Sequence, residues 1–313
     1  MRKPLLATLT AVALGAAALA GTTGTATAAS APAGGANPTA ATAAAHHDSG
    51  KAVPSPANPP ASPAAASFAG TVALSNCSGS LVRMPNSQAT DPGLVMTNGH
   101  CLETGFPGAG EVVVGQSSTR SFTLLNATAG SAGTLKANKV VYATMTDTDV
   151  TIYQLTKTYA QIQQSTGIAP LTLSATHPVQ GHAIDVVSGY WKRVYSCSVD
   201  GFAYRLKEGQ WTWKDAVRYT PECQVIGGTS GSPVIDTTTG QVTAINNTIN
   251  ESGGNCTLNN PCEVNEQGAV TVREGIGYAQ ETHGIPACFT TGNALDLSAT
   301  GCTLPKPAAA SAR

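Results

Sequence analysis

Short apolar and β-branched runs recur along the middle of this chain, separated by Gly, Asn, Asp and Pro. Runs of this length and composition, bounded by turn-forming residues, predict β-strands and not helices. They fall into two sets with a gap near 157–169. The first set covers 71–74, 80–84, 94–97, 111–114, 121–125, 139–143 and 150–155, and the second covers 171–173, 182–187, 193–199, 202–206, 210–213, 216–219, 233–236 and 241–246.

Two sets of short strands over about 220 residues favour two closed sheets packed together. We therefore predict an all-β fold of two packed antiparallel six-stranded β-barrels, the first in 68–160 and the second in 161–302. Glu208-Gly209 and Gly240 are predicted hairpin turns. Only 282–289 has a helical pattern, which predicts a short C-terminal helix, and the three tryptophans are expected to pack in the second barrel.

The two ends of the chain differ from its middle. Arg2 and Lys3 precede an apolar run at 5–20, and Ala-Thr-Ala at 26–28 offers a cleavage site, so 1–29 is predicted to be a signal peptide. Residues 30–67 are Ala/Pro-rich and 303–313 are similar, which predicts a disordered propeptide or spacer and a disordered tail. We expect a secreted, extracellular protein with no membrane contact after signal removal.

Charge and cysteine content narrow the function classes. The net charge is −1 and charged residues make up 11%, so nothing indicates nucleic-acid binding. Eight cysteines in an exported chain predict disulfides. The chain has no C-x2-C pair, so its cysteines do not indicate a zinc site. We expect no metal, no cofactor and a monomer.

The segment 227–234, Gly-Gly-Thr-Ser-Gly-Ser-Pro-Val, carries the first chemical motif. Its glycines permit positive φ and a close approach of a ligand to the main chain. Such a loop can place the Ser230 hydroxyl beside the N–H groups of Gly228 and Ser230, the arrangement of a nucleophile next to an oxyanion hole.

Two further motifs lie upstream. Thr-Asn-Gly-His-Cys at 97–101 follows an apolar run, and Asp149 precedes the strand predicted at 150–155. The order His, Asp, Ser, together with Gly-x-Ser-Gly-x-Pro, resembles the chymotrypsin-like (trypsin-like) serine peptidases over about 68–288. The resemblance implies that Ser230 is the nucleophile, His100 the general base and acid, and Asp149 the residue that orients the imidazole.

Asp147 is the alternative third member of the triad. We favour Asp149 because the acid of this family stands directly before an apolar strand. Asp147 is expected to cap a turn. The family's histidine-loop bridge implies a Cys77–Cys101 disulfide. Order and proximity then suggest the pairs Cys197–Cys223, Cys256–Cys262 and Cys288–Cys302.

Several positions depart from the animal trypsins. Thr229 replaces the aspartate before the serine, and the loop is more similar to the bacterial branch that includes glutamyl endopeptidases. Gln224 stands where trypsins carry the acidic specificity residue, and 243–248 lacks the histidine of glutamyl endopeptidases. We expect a neutral specificity pocket formed by Gln224, Asn247 and Gly277, with a preference for uncharged side chains.

The function predicted from the sequence is a secreted serine endopeptidase that cleaves polypeptides through an acyl-enzyme. An α/β-hydrolase is disfavoured for two reasons. That fold needs Gly-x-Ser-x-Gly, whereas Ser232 occupies the last position of the motif here, and it needs an order of catalytic residues other than His, Asp, Ser. A catalytically inactive, protease-like binding domain is the remaining alternative.

Overall fold

In the computed structural model of this protein, residues 67–308 are described. The predicted signal peptide, all but the last residue of the predicted spacer, and 309–313 of the predicted tail lie outside the described residues. The described residues all belong to one compact unit. Between 67 and 308 no helix has the length and apolar character needed to cross a membrane.

The first sheet closes on itself. Strands β1 to β3 and β5 to β7 pair in the circuit β1-β5-β6-β7-β3-β2-β1, which makes a closed six-strand barrel. β4 extends the sheet by pairing with β6, and β8 pairs in parallel with β2. The strands are β1 (Thr71–Ala73), β2 (Ser78–Arg83), β3 (Pro92–Thr97), β4 (Val112–Ser117), β5 (Ser121–Leu125), β6 (Ser131–Thr144), β7 (Val150–Thr158) and β8 (Leu171–Thr172).

The second sheet is organised around one long strand, β10. It pairs with β9 through 193–198 and with β11 through 199–208, so six strands follow the circuit β9-β10-β11-β16-β13-β12. The strands of this sheet are β9 (Ala183–Ser188), β10 (Arg193–Glu208), β11 (Trp211–Tyr219), β12 (Pro233–Asp236), β13 (Val242–Ile249), β14 (Cys262–Val264), β15 (Val270–Val272) and β16 (Gly277–Glu281). A two-stranded pair, β17 (Phe289–Thr290) and β18 (Ala294–Leu295), follows.

The all-β architecture predicted from the sequence is confirmed, and so are both hairpin turns, since Gly209 and Gly240 take φ of 56° and 69°. The runs predicted at 193–199 and 202–206 are halves of β10. A bulge at 199–201 shifts the register there, which allows one strand to bend from one neighbour to the next.

The helical content lies elsewhere than predicted. The single α-helix in the described residues, α1 (Tyr159–Thr166), occupies the gap between the two strand sets. Thr158 and Gln161 form a capping box at its start, and Gly167 ends it in the left-handed conformation. The predicted C-terminal helix is only the 3-10 turn Pro286–Cys288, because Pro286 supplies no N–H and Phe289 returns to an extended strand.

The core consists of four apolar clusters: one fills the first barrel, one fills the second, a smaller one surrounds Trp213, and one joins the two barrels. The joining core combines residues of β2, β3, β6 and β7 with Leu173, Val242 and Ile245. Ile285, Phe289 and Leu304 from the C-terminal segment pack into the same cluster. The seam between the barrels is therefore closed in part by residues that follow β16, the last barrel strand.

Four disulfides join the cysteine pairs that the sequence predicted: Cys77–Cys101, Cys197–Cys223, Cys256–Cys262 and Cys288–Cys302. The first connects the start of β2 to the turn after β3, across 24 positions. It thereby ties the two ends of the loop that carries His100.

Replacing both Cys77 and Cys101 by alanine is expected to lower the free energy of unfolding by about 3 kcal/mol, because the bridge removes loop entropy from the unfolded chain. The matched change at Cys256 and Cys262, which are 6 positions apart, should cost about 2 kcal/mol. Urea titrations followed by fluorescence measure both values. An equal or larger loss for the short loop would contradict this account.

Candidate active site

His100 and Asp149 are in direct contact. His100 lies in the 3-10 turn Gly99–Cys101 directly after β3, and Asp149 lies directly before β7. Nδ1 of His100 is 2.7 Å from Oδ2 of Asp149, and the backbone N–H of His100 donates to Oδ1 at 3.0 Å. The carboxylate is fully buried, whereas the imidazole is 19% exposed. Both carboxylate oxygens thus hold the histidine in one orientation.

The turn before His100 is possible only with a residue that has no side chain. A Cβ on Gly99 would lie 2.1 Å from the carbonyl oxygen of Thr144 and 2.8 Å from Oδ1 of Asp149. Asn98 Nδ2 donates to the Asp149 carbonyl at 2.9 Å, which fixes the backbone on the other side. The Asn-Gly-His motif therefore places the imidazole by main-chain contact.

Asp147 points to a different partner. It forms an ion pair with Lys214, and its backbone N–H and carbonyl pair with β11. It has a φ of 60°, which asparagine and aspartate tolerate in turns. The structure brings Asp149, and not Asp147, to His100.

Ser230 lies in a loop held from both barrels. The backbone N–H of Ser78, in β2, donates to the Ser230 carbonyl at 2.8 Å. The N–H of Gly231 donates to the Asn246 carbonyl at 2.9 Å, and Asn246 Nδ2 donates to Thr229 Oγ1 at 3.1 Å. These bonds fix the main chain on each side of the serine.

Two backbone donors at the serine loop have no partner among the described residues. Within residues 67–308, the N–H groups of Gly228 and Ser230 donate no hydrogen bond. Trp191 Nε1 donates to the Gly227 carbonyl at 2.7 Å. Because a trans peptide holds its C=O and N–H in opposite directions, this contact fixes the N–H of Gly228 facing away from Trp191. The indole is a positioning contact that the sequence analysis had assigned to packing alone.

The Ser230 hydroxyl and the His100 imidazole face one cavity of about 280 Å³. The hydroxyl donates to the Asn247 carbonyl at 3.2 Å. In the described part of the chain it makes no hydrogen bond with the His100 ring. The loop residues His100, Phe106 and Met145 of the first barrel and residues of β10, β11 and β13 of the second line this cavity, so it opens at the seam between the two barrels.

The cavity is also lined by an acid that no sequence motif reveals. Glu208, at the end of β10, is 4% exposed and lines the cavity with Trp211, Trp213 and Asn259. Its Oε1 accepts from the Asn259 N–H at 2.7 Å, and its Oε2 is buried with no hydrogen-bond partner in 67–308. Only its position in the predicted Glu208-Gly209 turn was visible in the sequence.

The three predicted specificity residues occupy different places. Asn247 is buried and lines the cavity with His100 and Ser230. Gln224 is exposed and lines an adjoining cavity of about 330 Å³, where Glu251 is also found. Gly277 is buried behind that wall, where a Cβ would lie 2.8 Å from the Val225 side chain.

The electrostatics of the site favour a charged imidazole. Burial lowers the pKa of His100, but the charge of Asp149, the hydrogen bond to it and the charge of Glu208 together raise that pKa above its ordinary value near 6.5. Burial also raises the pKa of the Glu208 carboxyl. The sulfur atoms of Cys77 and Cys101 lie near His100, but they are joined in a disulfide and cannot act as thiolate ligands.

A closed six-strand barrel beside a second β-sheet is the chymotrypsin-like fold, and His100, Asp149 and Ser230 lie where the two meet. The sequence pattern of the trypsin-like peptidase domain matches residues 77–245, more than half of the 313-residue chain. The chain therefore belongs to the trypsin-like peptidase family, which confirms the resemblance found in the sequence.

Solved structures similar to this chain have low sequence identity. The Rv3671c protease from M. tuberculosis in its active form is 16% identical, with 75% of this chain and 81% of that chain covered and a TM-score of 0.41. The MamO protease domain from Magnetospirillum magneticum is 14% identical, covers 71% and 96%, and has a TM-score of 0.43. A Glu endopeptidase is 14% identical, covers 68% and 85%, and has a TM-score of 0.39. No curated protein sequence matches the chain significantly.

The raised pKa of His100 is testable without any substrate. In an NMR titration of the ring, the pKa of His100 should lie above 6.5 and should fall in Asp149→Asn, because the neighbouring negative charge is lost. Glu208→Gln should lower it by a smaller amount. Glu266→Gln, which removes the same charge from an exposed position, is the control, and an unchanged His100 in Asp149→Asn would refute the electrostatic explanation.

Proposed function

We propose that this protein is a serine endopeptidase in which His100, Asp149 and Ser230 form the catalytic triad. The observation that carries the proposal is the 2.7 Å contact between His100 and Asp149 at the edge of a cavity shared with Ser230. The N–H groups of Gly228 and Ser230, which donate to no acceptor within 67–308, are the proposed oxyanion donors.

In the proposed mechanism, the Ser230 hydroxyl attacks a peptide carbonyl while Nε2 of His100 takes the hydroxyl proton. Asp149 accepts the Nδ1–H and stabilises the imidazolium that forms. His100 then protonates the leaving amine, and water hydrolyses the acyl-enzyme through the same groups. Only neutral His100 acts as the base, so its raised pKa moves the acid limb of the rate profile above pH 6.5.

One observation favours the alternative of a binding domain without catalysis. The Ser230 hydroxyl is hydrogen-bonded to the Asn247 carbonyl at 3.2 Å and not to His100. Rotation about the Cα–Cβ bond of Ser230 redirects the hydroxyl between staggered positions, and such contacts commonly tighten only when substrate binds. We therefore favour the peptidase.

The disulfides bear on where the protein acts. Four disulfides in the described residues are consistent with an oxidising, extracellular location. We propose that residues 1–29 direct export, that 30–67 form a propeptide or spacer, and that the barrels of 68–160 and 161–302 act on polypeptides as a monomer.

The acidic wall of the cleft points to the substrate class. Glu208 has a buried carboxylate oxygen without a partner, and Glu251 lines both the main and the adjoining cavity. A basic side chain of the substrate would supply the donor that the Glu208 oxygen lacks. The predicted preference for an uncharged residue directly before the scissile bond concerns the Gln224 region and is a separate expectation.

Organophosphate labelling tests the triad. Diisopropyl fluorophosphate should modify Ser230 stoichiometrically, as located by peptide mass spectrometry, because a paired imidazole activates that hydroxyl. Labelling should be lost in Ser230→Ala and slowed at least about 10³-fold in His100→Ala and Asp149→Asn. His182→Ala removes a histidine from another carboxylate pair and should change nothing. A folded, unlabelled wild-type protein would support the binding domain.

Substrate selection by Glu208 is measured with a peptide library whose positions before the scissile bond vary, followed by mass spectrometry of the new termini. Peptides with Lys or Arg in the stretch that fills the cavity should be cleaved about tenfold faster than those with Glu. Glu208→Gln should abolish the difference, whereas Glu266→Gln should retain it. Equal selectivity in wild type and Glu208→Gln would rule out this role.

A further inference from the structure

Four titratable side chains from separate segments converge on the second barrel, away from the proposed triad. His177 lies in the loop between β8 and β9, Asp215 lies in β11, Glu281 ends β16, and His283 follows two residues later. Asp215, Glu281 and His283 line a cavity of about 280 Å³ that is separate from the cleft of Ser230.

The potential ligand atoms are close together. His177 Nε2 is 3.0 Å from Oε1 of Glu281 and 3.3 Å from Oδ2 of Asp215. His283 Nδ1 is 2.7 Å from Oε2 of Glu281. Ligand atoms that share a tetrahedral Zn²⁺ at about 2.0–2.2 Å are roughly 3.3–3.5 Å apart. The ligand atoms of His177, Asp215 and Glu281 all lie within 4.8 Å of one another, so a small movement would place an ion among them. His283 is outside this group and contacts Oε2 of Glu281, so its ring would have to turn toward the ion to become the fourth ligand.

His177 is oriented as a metal ligand would be. Its Nδ1 lies 2.7 Å from the carbonyl oxygen of Pro178, to which an Nδ1–H donates. In the neutral ring this leaves the lone pair of Nε2 facing two carboxylate oxygens, a repulsion that is removed either by a cation between them or by protonation of the ring, in which case Nε2–H donates to Asp215. Histidine ligands typically donate their second ring N–H to a backbone carbonyl in this way.

Glu281 provides an independent indication. Its side chain is only 6% exposed, yet in the described residues neither carboxylate oxygen has a hydrogen-bond partner. Nδ1 of His283 is likewise buried and without one, since the short contacts between these atoms do not follow the direction of a hydrogen bond. An ionised carboxylate here needs a cation.

We propose that His177, Asp215, Glu281 and His283 bind a zinc-class divalent transition metal ion. Two imidazole nitrogens with two carboxylates suit Zn²⁺, whereas Ca²⁺ and Mg²⁺ prefer oxygen ligands alone. The ion would join the β8–β9 loop to β11 and to the end of β16, and it therefore acts as a structural crosslink that is independent of the proposed triad.

Zn²⁺ binding to the full chain tests the site. The protein is produced without a histidine tag and with His46→Ala and His47→Ala, stripped with a chelator, and titrated with Zn²⁺ by calorimetry. We expect one site per chain with a dissociation constant on the order of 1 μM or tighter, and no binding of Ca²⁺ or Mg²⁺. The melting temperature should rise with Zn²⁺.

Variants separate a metal site from an ion pair between imidazolium and carboxylates. Glu281→Gln and His177→Ala should weaken Zn²⁺ binding at least tenfold, while His182→Ala, in a similar histidine–carboxylate pair with Asp236, should not. If near-ultraviolet circular dichroism shows that Glu281→Gln misfolds, His177→Ala and Asp215→Asn at exposed positions decide the question. Absence of saturable binding, or equal affinity in these variants, would overturn the proposal in favour of the ion pair.

Discussion

The approach of the serine loop to β2 is the contact on which the site depends. The backbone of Gly231 lies so close to Ser78 that a Cβ would be 2.1 Å from the Ser78 carbonyl oxygen, and Gly231 has a φ of 80°. The N–H of Ser78 donates to the Ser230 carbonyl, and Thr97 Oγ1 donates to the Ser78 carbonyl. Because Thr97 ends the strand that leads to His100, one short chain of contacts fixes the serine relative to the histidine across the seam.

The other half of the site follows the same rule. Gly99 presses against Thr144 and Asp149, and Asn98 holds the Asp149 backbone. Polar side chains then complete what the main chain has positioned, with a fully buried carboxylate against a partly exposed imidazole. These two positions therefore accept only glycine, since any side chain would push the packed elements apart.

Much of the fold was predictable because strand periodicity and turn residues are local signals. Strand 121–125 and strand 233–236 have the predicted bounds, and the motifs around His100, Asp149 and Ser230 could be recognised from their order. Helix α1 had a local signal too, the capping residues Thr158 and Gln161, but its short length did not produce a clear period. Glu208, Trp191 and the cluster around Glu281 could not be found, since their significance depends on neighbours at least thirty positions away.

The C-terminal segment packs between the two barrels. Ile285, Phe289 and Leu304 pack into the core that joins the barrels. The hydroxyl of Tyr142, in the first barrel, donates a hydrogen bond to the Pro305 carbonyl. A ribosome makes these residues after β16, the last barrel strand, so each barrel lacks part of its final packing until they have been synthesised. The cleft between the barrels therefore reaches its final packing only when this later segment has joined the core between them.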